Sequence, residues 1–426
     1  MSVRDETDLM GVPEQAVDDK SAGGASLALE LLKVRDFRFA LISSAILVFG
    51  FEMRAVVQSW LALELTDSQA WVGAVNGLPA IVMIALSLVG GLAADRFPKR
   101  DILVVVRLFL ASLMLVAGYL VATDVMTIWY LLAMTMISGG FAAFGMPAVQ
   151  SLVVELAGRK RVLTASSLMQ TVGGLGLILG PALGGFLLGL FGVAPVFFII
   201  AGIQFVGLLA TLMIRSRKVH NTKAEKSSSA MSDIAEGLRF VRGNPLVRML
   251  MLMNILAMFA GFMFPLIPVY ARDVLVVGES GYGMMMGAFG LGGVIGSVSL
   301  AMAGNVKKKA NLVMGSIGLW IVGTFVFAFS RDYYLSLVVL VVMGAGGIAY
   351  VTTINAMVQM AIPDELRGRV TSLFSITMTL FPVGMFVGGV LAAATTNEIS
   401  IMTSGVGVAL PVLLVYVFSR RFREMS

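Results

Sequence analysis

Gly176-Leu177-Ile178-Leu179-Gly180-Pro181-Ala182-Leu183-Gly184-Gly185 lies inside an apolar segment, Val162 to Leu190, that carries no charge after Arg161. In water such a helix would be poor, since glycine costs about 1 kcal/mol and proline about 3 kcal/mol against alanine. In a bilayer the judgement reverses, because unsatisfied backbone groups are so costly that the helix persists. Gly176, Gly180 and Gly184 are spaced by four and form one bare stripe, along which a neighbouring helix can approach closely. Pro181 removes one backbone donor and permits a kink. Two readings fit the stretch: a tight helix crossing, or a bending point in a helix that moves.

The chain around it has the same character. Of 426 residues, 58% are hydrophobic and only 13% charged, with a mean hydropathy of +0.92. Soluble domains carry about a quarter charged residues, so this is a polytopic membrane protein. The net charge of +6 matters through its distribution and does not point to nucleic acid. Without cysteine there is no disulfide framework or thiolate metal site. Residues 1 to 20 are polar and acidic with no apolar core, so no signal peptide is expected and the first span serves as the anchor.

Residues 1 to 33 read as a disordered tail with an amphipathic stretch near Leu27–Arg38. Apolar segments of spanning length follow near 38–62, 70–94, 102–123, 127–153, 162–190, 194–214, 248–271, 281–303, 310–329, 333–361, 369–394 and 399–419. The expected fold is therefore all-α, with twelve transmembrane helices in two six-helix bundles, 34–214 and 248–419. A polar cytoplasmic linker, 215–247, joins them, and 420–426 form a tail. One set of connections holds Arg96, Lys99, Arg100, Arg159, Lys160, Arg161, Lys307, Lys308, Lys309, Arg367 and Arg369. The opposite set holds Arg272 and Arg331 beside acids such as Glu64, Asp67, Asp124 and Asp332. By the positive-inside rule both termini and the linker are cytoplasmic.

The halves repeat. Arg161-Val-Leu-Thr after the fourth span answers Arg369-Val-Thr-Ser after the tenth, and the same offset carries Lys99-Arg100 onto Lys307-Lys308. A repeat in one orientation implies bundles related by an axis along the membrane normal, with a midplane cavity between them that opens alternately to either side.

The connection between spans two and three reads Gly91-Leu-Ala-Ala-Asp95-Arg96-Phe-Pro-Lys99-Arg100. Gly91 permits close helix approach, Asp95 can cap a helix or accept from a partner bundle, and the basic residues hold the turn at an anionic surface. Here the chain resembles the major facilitator superfamily. Its loop pattern matches at Gly91, Asp95, Arg96, Lys99 and Arg100, with Pro98 in place of the second glycine. The superfamily's fifth-helix antiporter pattern, Gly-x-x-x-Gly-Pro-x-x-Gly-Gly, is matched by Gly176, Gly180, Pro181, Gly184 and Gly185. That pattern is more typical of exporters than of importers. Leu63–Ser68, Gly237–Pro245 and Pro363–Arg369 resemble the macrolide and enterobactin exporters within the drug:proton antiporter branch. The resemblance implies export of a drug-like compound or siderophore by proton antiport. One departure stands out: many proton antiporters carry an arginine within the fourth helix, and Tyr130 to Val154 contains none.

Ionisable groups in a span cost about 2.5–3.5 kcal/mol and mark function. The proton-coupling candidates are Glu52, Arg54 and Arg107. Glu52 lies about 20 Å along the first span, with Arg54 about 200° around the same helix. Arg107 sits near the cytoplasmic face, within reach of Asp101 or Glu155. Glu52 is the expected titrating carboxylate, and a static ion pair with Arg54 or Arg107 is the alternative. For the substrate cavity the first expectations are Gln58, Asn254, Asn355 and Phe262; most polar residues in spans instead make helix–helix hydrogen bonds, and apolar ones such as Phe262 serve chiefly as lipid-facing filler. The 29 methionines suit an adaptable surface or plain lipid contact. No Walker loop, metal cluster or nucleophile–base pair is visible, so neither an ATP-driven pump nor an enzyme is expected. No cofactor is expected beyond a proton gradient as energy source. The partners are a small-molecule substrate and the bilayer of the inner (plasma) membrane, with no nucleic acid, and the chain acts as a monomer. A lysolipid flippase, a uniporter and a transport-inactive receptor or scaffold stay open as alternatives.

Overall fold

Alternating apolar stretches and short polar connections become helices, eleven of them, among the described residues, long and apolar enough to cross a bilayer, with a shorter apolar one at Leu380–Ala394. The computed structural model describes residues 24–158, 161–215, 230–304, 308–363 and 380–419, with Leu366, Val370, Leu373, Phe374 and Thr377. Expectations on Arg159, Lys160, His220, Lys307, Arg367, Arg369 and the tail after 419 lie outside the described residues, as does the side chain of Asp95.

A short helix α1 (Gly24–Lys33) precedes α2 (Arg35–Thr66), α3 (Gln69–Arg96), α4 (Lys99–Ala122), α5 (Ile128–Ala157), α6 (Val162–Phe191) and α7 (Val193–Leu212). The linker holds α8 (Ala230–Gly243). The second half comprises the segment Pro245–Val274, then α10 (Gly278–Ala303), α11 (Lys309–Phe329), α12 (Tyr333–Ala361), α13 (Leu380–Ala394) and α14 (Asn397–Phe418). The linker is thus not wholly irregular: α8 packs against the start of the following helix, and its Val241 is buried.

Arg35, Arg96, Lys99, Arg161 and Lys309 all fall at one end of the helices, hereafter the basic end. The far end collects the α2–α3, α4–α5, α6–α7 and α12 turns. Local signals set these ends. Asp67 adopts a left-handed backbone (φ 50°) and closes α2 by donating its N–H to the Leu63 carbonyl at 2.9 Å. Gly192 (φ 77°) turns α6 directly into α7. The Asp332 side chain caps α12 by accepting from Leu335 N–H at 2.7 Å. Large apolar side chains such as Phe109, Phe186, Val326 and Leu414 stay exposed on the outside, as a lipid-facing surface requires. Tyr119, Trp129 and Tyr334 supply aromatics near the far end.

One expected span is broken. Pro245–Leu256 is α-helical (α9), Ala257–Leu266 is 3₁₀, Ile267–Val269 is a single α turn and Tyr270–Val274 is a π turn. Pro265 and Pro268 each remove a donor, which favours the change of hydrogen-bond register.

The halves meet mainly through α6 with α10 and α3 with α13. Both seams are backbone against backbone. A methyl on Gly185 would fall on the Gly283 main chain, and one on Gly283 on Gly185. A methyl on Gly73 would lie 2.6 Å from the Met385 carbonyl, and one on Gly77 2.5 Å from the Pro382 carbonyl. These glycines sit in the half of each helix toward the far end, so that end is sealed by main-chain contact.

Candidate transport site

The glycine stripe of α6 receives α2. A methyl on Gly180 would stand 2.5 Å from Glu52 Cβ, and one on Gly184 3.0 Å from the Met53 backbone; Gly176 faces Val48. α6 runs unbroken through Pro181, so the stripe forms a tight crossing. Its opposite side, at Gly185, meets the second half. Glu52 therefore stands on the helix that links the two bundles, half-buried, and no ion pair within 4.0 Å between described residues includes it.

Arg54 points elsewhere. It is 7% exposed and donates to the Ser138 hydroxyl of α5, with its guanidinium 5.0 Å from the Phe51 ring centroid. Together with Gln58, Met114, Thr135 and Phe197 it lines a cavity of about 10 Å³ within the first half. Arg107 is fully buried. It reaches neither Asp101 nor Glu155. Instead it donates to the Ser43 hydroxyl at 3.0 Å, the Ser43 carbonyl, and Gln204 Oε1 at 3.0 Å. Its helix packs on α7 and α5, and from there the long side chain reaches inward to Ser43 of α2 and Gln204 of α7, not toward the basic end. Glu155 pairs with Lys99 at 3.0 Å.

The loop residues act within the first half. Arg100 donates to the carbonyls of Leu212 at 2.7 Å and Thr211 at 3.4 Å, where the helix dipole of α7 is negative. Arg96 is exposed, and nothing lies within 4 Å of a methyl built on Gly91; close approach falls one residue earlier, where Gly90 meets the Ala143 carbonyl.

The residues expected at the cavity are spread through both halves. Gln58 donates to Asn76 Oδ1 at 3.1 Å and the Val75 carbonyl at 3.3 Å, leaving its own Oε1 buried without a described partner. Asn254 donates to Thr377, and its Oδ1 is likewise unpaired. Asn355 is half-buried, and its side chain makes no hydrogen bond to a described residue. Phe262 is buried, its ring 5.0 Å from that of Phe259, with Gly388 against its backbone. Phe259 also lines an apolar cavity of about 450 Å³ between the 3₁₀ stretch and α14, beside exposed Val406 and Leu410. Ser43, Ser138 and Gln204, which hold the two arginines, were legible only as polar residues in spans.

Two bundles of transmembrane helices, joined by glycine seams and holding charge inside one bundle, define a membrane transporter of the major facilitator fold. The chain belongs to the transmembrane secretion effector family of that superfamily, whose model matches residues 27–425. It is 27% identical over 394 residues to the multidrug efflux pump Tap of Mycolicibacterium fortuitum, covering 88% of this chain and 94% of that one. It is 25% identical over 406 residues to the enterobactin exporter EntS of Escherichia coli O1:K1 / APEC, covering 93% and 96%. Among solved structures, a D-xylose-proton symporter superposes with a TM-score of 0.71 at 14% identity over 91% of this chain and 98% of that chain. A bacterial homologue of the iron transporter ferroportin in its inward-facing state gives 0.68 at 17% over 91% and 99%.

Proposed function

We propose that the protein exports a small amphipathic compound, a drug-like molecule or siderophore, by alternating access coupled to proton entry. On this reading it works as a monomer in the inner (plasma) membrane with both termini cytoplasmic. The observation that carries the proposal is the seat of Glu52 on Gly180: the one mid-membrane carboxylate of the first span rests on the helix whose other side forms the seam with the second half. A carboxylate there feels any sliding of α6 and changes its preference for charge as its surroundings dry or wet. The names of the relatives, a multidrug efflux pump and an enterobactin exporter, favour efflux and the two substrate classes.

The test uses inside-out vesicles with an imposed proton gradient and a fluorescent pH probe. Macrolides, dyes, siderophores and lysolipids are added in turn to wild type and to Glu52→Gln. The expected result is proton release with at least one compound, abolished by the substitution while binding persists. Proton-driven transport unchanged in Glu52→Gln would overturn Glu52 as the coupling group. Substrate movement with no proton movement in either protein would favour uniport.

A further inference from the structure

Among ion pairs between described residues, one joins the two halves: Arg272 of the π turn lies 2.7 Å from Asp67 at the end of α2. The same Nη1 donates to the Leu63 carbonyl at 3.2 Å. Leu63 also accepts the Asp67 N–H, so the guanidinium sits at the negative end of the α2 dipole as well as on a carboxylate. Asp273, the next residue, takes Nε at 2.6 Å and Nη2 at 3.1 Å, which fixes the plane of the fork and aims its remaining nitrogen across the seam. One turn further in, Trp60 of α2 stacks on Tyr282 of α10 at 6.0 Å.

The glycine seams consist of main-chain contact, in α3–α13 against helix carbonyls, so they hold the halves by close packing, with no charged bond directed across them. Arg272 is different. It grips both a side chain and a helix end of the opposite half, at the rim where separation of the far end must begin. We infer that Arg272 and Asp67 are gating residues: together they form a latch that holds the far end shut and sets how often it opens during the transport cycle. The Arg272 side chain is 27% exposed and that of Asp67 81%, so water screens the pair. The latch therefore biases the opening equilibrium without locking it. This inference needs only that the halves move apart, and is independent of what is carried and of proton coupling.

The chain lacks cysteine, so a single Ser59→Cys reports opening. Ser59 is buried two turns inside the far end, within hydrogen-bonding distance (2.8 Å) of Asn76. The purified full chain in detergent is labelled with a maleimide, with no substrate and no gradient. Asp67→Asn and Arg272→Gln should each raise the labelling rate about fivefold, the upper range for a partly exposed pair, at unchanged melting temperature. Arg272→Lys, which keeps the charge and loses the fork, should fall between. The double variant should label no faster than the faster single, because both remove one interaction. Labelling at the parental rate in both single variants, or rates that multiply in the double, would overturn the latch.

Discussion

α2 and the segment Pro245–Val274 occupy corresponding places in the two halves, yet they are built for different work. α2 runs as one α-helix for 32 residues and carries Glu52 and Arg54 in mid-span. Its counterpart has no charge between Arg248 and Arg272 and changes helical register three times within 30 residues. A continuous helix fixes the mutual rotation of its side chains, so Glu52 meets α6 while Arg54 meets α5, and neither can swing to the other's partner. The broken segment keeps carbonyls and turns in poorer hydrogen-bond geometry, and such backbone changes shape at lower cost. In this fold the first half carries charge on a continuous helix and the second half carries the irregular backbone.

The first half offers the largest expected effect. Arg107 has three hydrogen bonds and Arg54 one, so Arg107→Met leaves Gln204 Oε1 buried without its donor and the Ser43 hydroxyl with Thr211 alone. It should cost about 2–4 kcal/mol of stability, against about 1 kcal/mol for Arg54→Met. Denaturant titration of the purified protein measures both. Equal losses would show that the additional hydrogen bonds of Arg107 do not set its stability contribution apart from that of Arg54.

Next in size is the seam between the halves. Gly185→Leu has only the Gly283 backbone to push against and should force α6 and α10 apart, costing about 1–3 kcal/mol and stopping transport. Gly173→Leu, in the same helix with nothing within 4 Å, should leave both unchanged. Vesicle transport assays of the pair decide it, and equal activities would show that the seam does not govern the cycle.

The smallest effect on stability, and the sharpest on the comparison, comes from proline. Pro265→Ala restores a donor inside the 3₁₀ stretch and should lower the transport rate while stability stays within about 1 kcal/mol. Pro181→Ala, in a helix that is already continuous, should change the rate less. A rate fall confined to Pro181→Ala would reverse the roles given to the two helices.

How much of this was legible beforehand depends on the element. The glycine stripe could be read from a spacing of four, and its neighbour α2 could not, because any helix accepts a bare stripe. The broken seventh span looked like one apolar segment, since hydropathy sums over residues and is blind to hydrogen-bond register. Arg107 was visible as a cation within a span, close to the cytoplasmic face. Its choice of Ser43 and Gln204 over Asp101 and Glu155 depends on which face of α4 turns inward, and that follows from packing with α7 and α5. Arg272 read as a loop charge because its partner Asp67 lies in the other half of the chain.

By itself the sequence determined the membrane class, the all-helical fold, the approximate bounds of most spans and the residue types placed in the bilayer. Each follows from local physics, since apolar length and backbone satisfaction act one segment at a time. Only the tertiary structure decided which helices touch, that Glu52 rests on Gly180, that the far end is sealed by glycine against glycine, and that Arg272 bridges the halves. Those relations join residues far apart in the chain, and in a bilayer they are selected by close packing and side-chain hydrogen bonds, to which composition and periodicity are silent.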